Sequence, residues 1–426
     1  MARTKEVSND GYTDIVSQIG ARASKSARAA VVPQALFMQE LVDAYGEDGI
    51  ANKITRIVAT DALASGFEIV GDADGALQKS VNAKSLGFRK ALRKAAKWTR
   101  LYGGAVVVLR IADGRKLDEP AGNGPVVKLD CFSAGTVELS DSDFCKDWES
   151  GNFGNPEFFN VVMTDGARIK VHYTRCVVFF GEDVPDDSRT MGRFTLKDRF
   201  FGMSALAVVI GRLKKMGLSE EGIADMMSEV NIGLFKLKGL DQKLSSRDGM
   251  SLVKKRFEAI EMGKSMCRAI IGDVDEDYTS VHSDLGGVPE TLYRQMQLLS
   301  AASDIPMARL YGESGSGLSA TGEGNRKLYD NMVESWRDEH LTDSAEAVIS
   351  EVVTRNVNNG KAFEAEIQWN PVSKPSDKEF VELCKVQADM YHMLIQDGVL
   401  SPEEVRLMMF RGGHTFQMML PEEAEG

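Results

Sequence analysis

The sequence has little cysteine, little histidine and no surplus of positive charge, and each shortage excludes something. Five cysteines in 426 residues (Cys131, Cys145, Cys176, Cys267 and Cys384) form no CxxC pair and no metal-like spacing. They read as reduced, cytosolic thiols rather than a disulfide framework or a metal clamp. No stretch approaches eighteen uninterrupted apolar residues, so a membrane-spanning helix is not expected. The opening MARTKEVSNDGYTDI lacks the apolar core of a secretory signal. Lys and Arg number 51 against 63 Asp and Glu, a formal net charge of −12. A chain that grips DNA through its phosphates presents a basic surface, and this one does not. An acidic wall does let a polyanion slide past without sticking.

Catalytic signatures are also scarce. The segment LYGESGSGLSATGEGN (Leu310–Asn325) holds five glycines in sixteen positions, yet it is not a phosphate cradle. Gly317 and Gly322 have GxxxxGK[ST] separation, but Glu323 stands where the lysine would be, no apolar strand precedes, and no GxGxxG occurs. The HYT at His172–Thr174 is one half of the paired signature of two-histidine phosphoesterases, whose chemistry needs an acid and a base on facing strands. Among His282, His340, His392 and His414, only His340 (HLT) completes a second copy, and it falls on an expected helix. Carboxylate groups (Asp141 with Asp143, Asp186 with Asp187, and Asp273, Asp275, Glu276 and Asp277) lack calcium-loop spacing, so no metal and no cofactor are expected. No nucleophile elbow is present.

What is there is a long alternation of helices and strands in an α+β chain of ordinary hydrophobic content. Residues 1–30 read as a polar, mildly basic arm. Helical spacing runs through IANKITRIVATDALASGFEI, with Gly66 as a stop, and again from Ala83 to Tyr102, whose polar face is strongly cationic. The runs GGAVVVLRI, PVVKLDCF, EFFNVVM and ARIKVHYTRCVVFF make residues 103–180 β-rich, with an acidic surface loop, SDSDFCKDWESGNFGNPE, among them. Ser204–Val230 reads as one long helix, residues 231–283 as strand, helix and strand, and GVPETLYRQMQLLSAASDI as another helix opened by Pro289. After the glycine-rich segment a helix of about thirty residues runs from Gly324 to Arg355, with Leu328, Met332, Trp336, Ala345, Val348, Ile349 and Val352 inward. A short EIQWNP strand and two helices, Ser376–Asp397 and Pro402–Phe410, complete the chain.

This order of parts resembles the core of tailed-bacteriophage portal proteins. The most specific stretch is LYGESGSGLSATGEGNRKLYD following PETLYRQMQLLSAASDIPMARL; IVATDALASGFEI and FFGMSALAVVIGRLKKMG also match the pattern, and the resemblance covers roughly residues 36–400. It implies a portal fold with long stem and wing helices, a β-rich wing and a small α/β clip. Carried over by position, residues 31–203 are wing, 204–230 and 284–311 stem, and 231–283 clip. Residues 312–324 are then a tunnel loop, 325–371 the long wing helix and its strand, and 372–426 a short helical crown. The implied function is a homo-oligomeric ring, usually of twelve copies, at one capsid vertex, not an enzyme. Double-stranded DNA passes through it without sequence specificity, held among the major capsid protein, terminase and head-completion or adaptor proteins, in a virion assembled in the host cytoplasm.

The physics of the loop agrees. Glycine gives many backbone conformations at low cost, as a segment yielding to a moving duplex requires. The expected DNA-facing residues are Gly312, Glu313, Ser314, Gly315, Ser316, Gly317, Ser319 and Thr321: hydroxyls for transient bonds and carboxylates against sticking. Arg212, Lys214 and Lys215 on the stem, and Arg309 and Arg326 flanking the loop, are candidates to line the channel or to pair with acids. Two other classes stay open: a two-histidine phosphodiesterase acting on nucleotides through His172, and a structural capsid adaptor without a channel.

Overall fold

The computed structural model describes residues 38–72, 75–185, 194–228, 231–236, 255, 277–282, 286–312, 323–373, 377–403 and 405–406. In chain order the elements are α1 (Met38–Glu47), α2 (Gly49–Ala62), β1 (Phe67–Ile69), α3 (Ala76–Val81), α4 (Phe88–Tyr102), β2 (Gly104–Ile111), β3 (Val126–Ser133), β4 (Val137–Glu138), β5 (Phe158–Val162), β6 (Arg168–His172) and β7 (Cys176–Phe180). They continue with α5 (Leu196–Phe201), α6 (Ile210–Ser228), β8 (Asn231–Lys236), β9 (Asp277–His282), α7 (Val288–Ser303), α8 (Met307–Leu310), α9 (Glu323–Arg337), a π-helical turn (Asp338–Thr342), α10 (Asp343–Asn356), β10 (Ile367–Trp369) and α11 (Asp377–Gln396). The chain divides into two compact units, Met1–Gly211 with Ser300–Gly426, and Arg212–Leu299.

The larger unit is built on β2. Its alternating Ala105, Val107 and Leu109 and its Val106 and Val108 are all buried, so the strand is covered on both faces. It pairs antiparallel with β3 on one side and β7 on the other. Val106 and Val108 pack with Val137, Phe159, Val161 and Val171 from a second antiparallel sheet, β4-β5-β6. Helix α4 packs on β2 and β3, and α10 on β7 and β3. Burying such valine and phenylalanine side chains contributes about 1.5–3 kcal/mol each and dominates the stability of the unit.

A buried cation on α4 bridges to two neighbouring helices. Arg100 of α4 donates from Nη2 to the Ile54 carbonyl of α2 at 3.1 Å and lies 5.2 Å from the Trp336 ring centre of α9. Burial lowers its pKa to about 10, which leaves it charged at neutral pH. A second buried pair ties the β-rich part: Arg175 Nη2 meets Asp113 at 2.6 Å with both side chains sealed from solvent, and Arg175 Nε donates to the Glu119 carbonyl.

In the smaller unit β8 and β9 pair antiparallel from Asn231 opposite His282 to Lys236 opposite Asp277. Ser219 of α6 accepts from Gln295 Nε2 of α7 at 3.0 Å.

Several sequence expectations move. The helix expected from Ala83 begins at Phe88, because Gly87 takes φ +75 and breaks the helical run ahead of it. The helix expected from Ser204 begins at Ile210. Residues 204–209 turn instead, with the Arg100 carbonyl accepting from Ser204 Oγ and from Ala205 N–H. The single run ARIKVHYTRCVVFF is two strands, split by a 3-10 turn at Tyr173–Arg175 that aims Arg175 at Asp113. Phe67–Ile69, just past the expected helix stop at Gly66, is a strand paired with β10. Within the long helix Leu328 is 70% exposed, because the buried stripe of α9 runs through Tyr329, Val333 and Trp336, and a π turn at Asp338–Thr342 interrupts the helix before α10. The expected helix at Pro402–Phe410 lies mostly outside the described residues, as do the clip helix and Asp186, Asp187, Asp273, Asp275 and Glu276.

Candidate functional site

Of the expected loop, Gly312 lies within the described residues; Glu313, Ser314, Gly315, Ser316, Gly317, Ser319 and Thr321 lie outside them. What the structure supplies is the pair of roots from which that segment departs and to which it returns.

The first root is the short helix α8, opened by Pro306 and closed by Gly312. The Gly312 N–H donates to the Ala308 carbonyl at 3.1 Å and its φ is +83, a left-handed conformation that glycine ends a helix with at least strain. Leu310 is fully buried, and its carbonyl accepts from Lys53 Nζ of α2 at 2.7 Å. A cation at a helix C-terminus meets the unsatisfied carbonyls there.

Arg309 reaches α2 as well. Its Nη2 and Nε meet the two oxygens of Asp61 at 2.6 and 3.1 Å. The hydroxyl of Tyr329, on α9 beyond the loop, donates to the same carboxylate at 2.8 Å. Asp61 therefore holds both roots at once. Burial and then the neighbouring carboxylate raise the Tyr329 pKa above its ordinary value, so the phenol stays protonated and keeps donating. The hydrogen bonds that Arg309 donates to Asp61 raise the Arg309 pKa.

The second root is the start of α9. Arg326 Nε donates to Ser373 Oγ at 3.1 Å, Ser373 donates to the Asp330 carboxylate, and Arg326 and Asp330 lie 3.9 Å apart. Arg309 and Arg326, expected either to touch a channel or to pair with acids, both pair with acids in the isolated chain. Arg212, Lys214 and Lys215 all lie exposed on α6, in the smaller unit.

Asp61, Lys53, Tyr329 and Ser373 were not anticipated as partners. Arg309 and Asp61 are 248 residues apart, and no local pattern announces such a pair.

The histidines have structural partners. His172 Nδ1 is 2.9 Å from Thr174 Oγ1, Thr174 in turn accepts from the Ala121 N–H, and burial lowers the His172 pKa. His340 is buried, with Nδ1 3.2 Å from the Phe180 carbonyl and Nε2 3.6 Å from Glu182. Asp143, from one of the carboxylate groups, accepts from the Ser140 amide and hydroxyl and from Asn160, which fixes a loop. Among the described residues no cluster of three or more metal-ligating side chains occurs, and no helix is long and apolar enough to cross a membrane.

Comparison with known proteins follows the same outline. The chain is 27% identical over 397 residues to the anti-CBASS protein Acb1 of Sphingomonas paeninsulae, covering 89% of this chain and 61% of that one. It is 25% identical over 400 residues to the protein of the same name from Caulobacter sp. (strain RHG1), covering 90% and 62%. The chain thus spans about 61% of the length of these curated relatives. Its fold is similar to a chain in the neck of the native GTA particle computed with C12 symmetry, with a TM-score of 0.53, 12% identity, and 90% and 96% of the two chains covered. A family model described as phage portal protein matches residues 39–393. The chain belongs to the phage portal protein family.

Proposed function

We propose that this chain is the repeating subunit of a portal ring at one capsid vertex, a closed homo-oligomer through which double-stranded DNA enters and leaves. The observation that carries the reading is the family match over residues 39–393. The fold likeness to a chain from a neck with twelvefold symmetry supports a ring of about that number. In this reading Arg212–Leu299 is the unit onto which terminase and then head-completion proteins dock, with the stem made by α6 and α7. The glycine-rich segment faces the duplex, and the wing meets the major capsid protein.

The division of labour at the loop supports it. The Asp61 carboxylate and the Lys53 ammonium fix the root, and glycine is the residue type that accepts many backbone conformations at low cost. In this reading DNA contact needs no fixed cation on the glycine-rich segment, and an acidic lumen wall prevents adhesion.

The relatives named anti-CBASS proteins raise a catalytic alternative. About two fifths of each lies outside the matched part, and in this chain His172 and His340 hold structural contacts. The reading therefore assigns this chain no catalysis. Native mass spectrometry with negative-stain imaging tests it. Closed rings with a central hole are expected; a monomer or an open chain of copies under every assembly condition would refute it.

A further inference from the structure

The acidic loop between β4 and β5 displays a tryptophan to solvent. Trp148 is 80% exposed, and its ring stacks edge-on to Phe153 at 4.7 Å between centres. The loop that carries it is braced: Phe144 bridges Pro156, the Cys145 N–H donates to Asn155, and the Gly154 N–H donates to Cys145. Asp147 and Glu149 flank the indole, both are exposed, and among the described residues neither carboxylate is in an ion pair. An exposed aromatic on a rigid mount is what interface cores are made from.

The same unit carries a socket of matching chemistry. A cleft of about 340 Å³ is lined by Phe67 and Trp369, whose ring centres are 5.4 Å apart, and by Arg89 and Arg93. These arginines lie four residues apart on α4, the helix whose outward face is cationic. Arg89 Nε donates to Asn82, and among the described residues neither guanidinium meets a carboxylate.

We propose that Trp148 of one copy docks into the Phe67–Arg89–Arg93–Trp369 cleft of the next, with Asp147 and Glu149 set against the two arginines. The inference rests on the ring reading above and names a contact that closes it. Plug and socket are different surfaces of one chain, so the contact is head-to-tail, the type that makes rings. Burying the indole would remove roughly 150–250 Å² from water, and Arg89 or Arg93 over its face adds a cation–π attraction. Opposite charges around the plug select the register.

The test uses the full-length chain with a photoreactive benzophenone amino acid in place of Trp148, mixed with isotope-heavy copies and irradiated after assembly. Crosslinks between light and heavy copies onto peptides carrying Phe67, Arg89, Arg93 or Trp369 are expected. Crosslinks onto any other surface, or onto a protein other than this chain, overturn the inference. In parallel, R89E/R93E lowers ring yield by roughly tenfold, and adding D147R/E149R in the same chain restores it, while the monomer melting temperature of each variant stays near the parent. Wild-type rings with unchanged variant yields overturn this inference alone. A wild type that never forms rings overturns the proposed function with it.

Discussion

Arg309 and Asp61, 248 residues apart, form a two-pronged ion pair whose carboxylate also accepts from Tyr329. One side chain of α2 therefore holds both sides of the glycine-rich segment.

Removing the two partners should have unequal effects. Arg309 is half exposed, so Arg309→Ala should cost about 0.5–1 kcal/mol, the scale of a surface ion pair. Asp61→Ala also strands the buried Tyr329 hydroxyl and should cost about 1–3 kcal/mol. Urea unfolding of the two variants gives the comparison, and equal losses would show that Tyr329 finds water instead.

A loss of stability in acid is expected, and its cause is definite. Burial would raise the Asp113 pKa, but the Gly122 and Arg115 amides and then the Arg175 guanidinium outweigh it and hold it at about 2. Glu182 beside His340 is also lowered. Unfolded carboxylates titrate near pH 4. The unfolded chain therefore binds protons first as pH falls, so this stability is complete above about pH 4 and declines from there towards about pH 2. The urea midpoint should fall steeply across that window, and Asp113→Asn should flatten the fall.

A glycine-to-alanine change at the centre of the larger unit should be severe. Gly103 has φ +77, and a Cβ there would enter the Gly202 carbonyl; one on Gly181 would lie 2.6 Å from the Gly103 carbonyl oxygen. Gly103→Ala should cost about 3 kcal/mol from backbone strain and overpacking together. Gly151→Ala, with open space around it, is the neutral control in the same denaturation series.

Stiffening the loop separates motion from scaffold. Gly315→Pro with Gly317→Pro should leave ring assembly intact and impair DNA packaging or retention, measured as filled particles per assembled capsid. Loss of assembly would make the segment a structural brace.

The sequence made the β-rich block legible because its valine runs and intervening Gly, Asn and Asp are local signals. It hid what depends on distant partners. The strand at Phe67–Ile69, just past the helix stop at Gly66, was hidden because β10, its strand partner among the described residues, lies about three hundred residues on. Leu328 looked inward because an apolar residue one position off the Tyr329–Val333–Trp336 stripe fits a 3.6-residue period almost as well. The loop was legible as a place, since Asp61, Tyr329 and Asp330 all fall within the stretches that resemble portal proteins. Their roles as clamps were not, because an ion pair between α2 and α8 leaves no trace in either segment.

The most direct measurement is a cryo-electron-microscopy reconstruction of the assembled chain that locates Gly312 and Glu323. The account predicts a closed ring with both residues at the wall of a lumen wide enough for a DNA duplex. A ring that places them on its outer rim, or a lumen too narrow for a duplex, would contradict it.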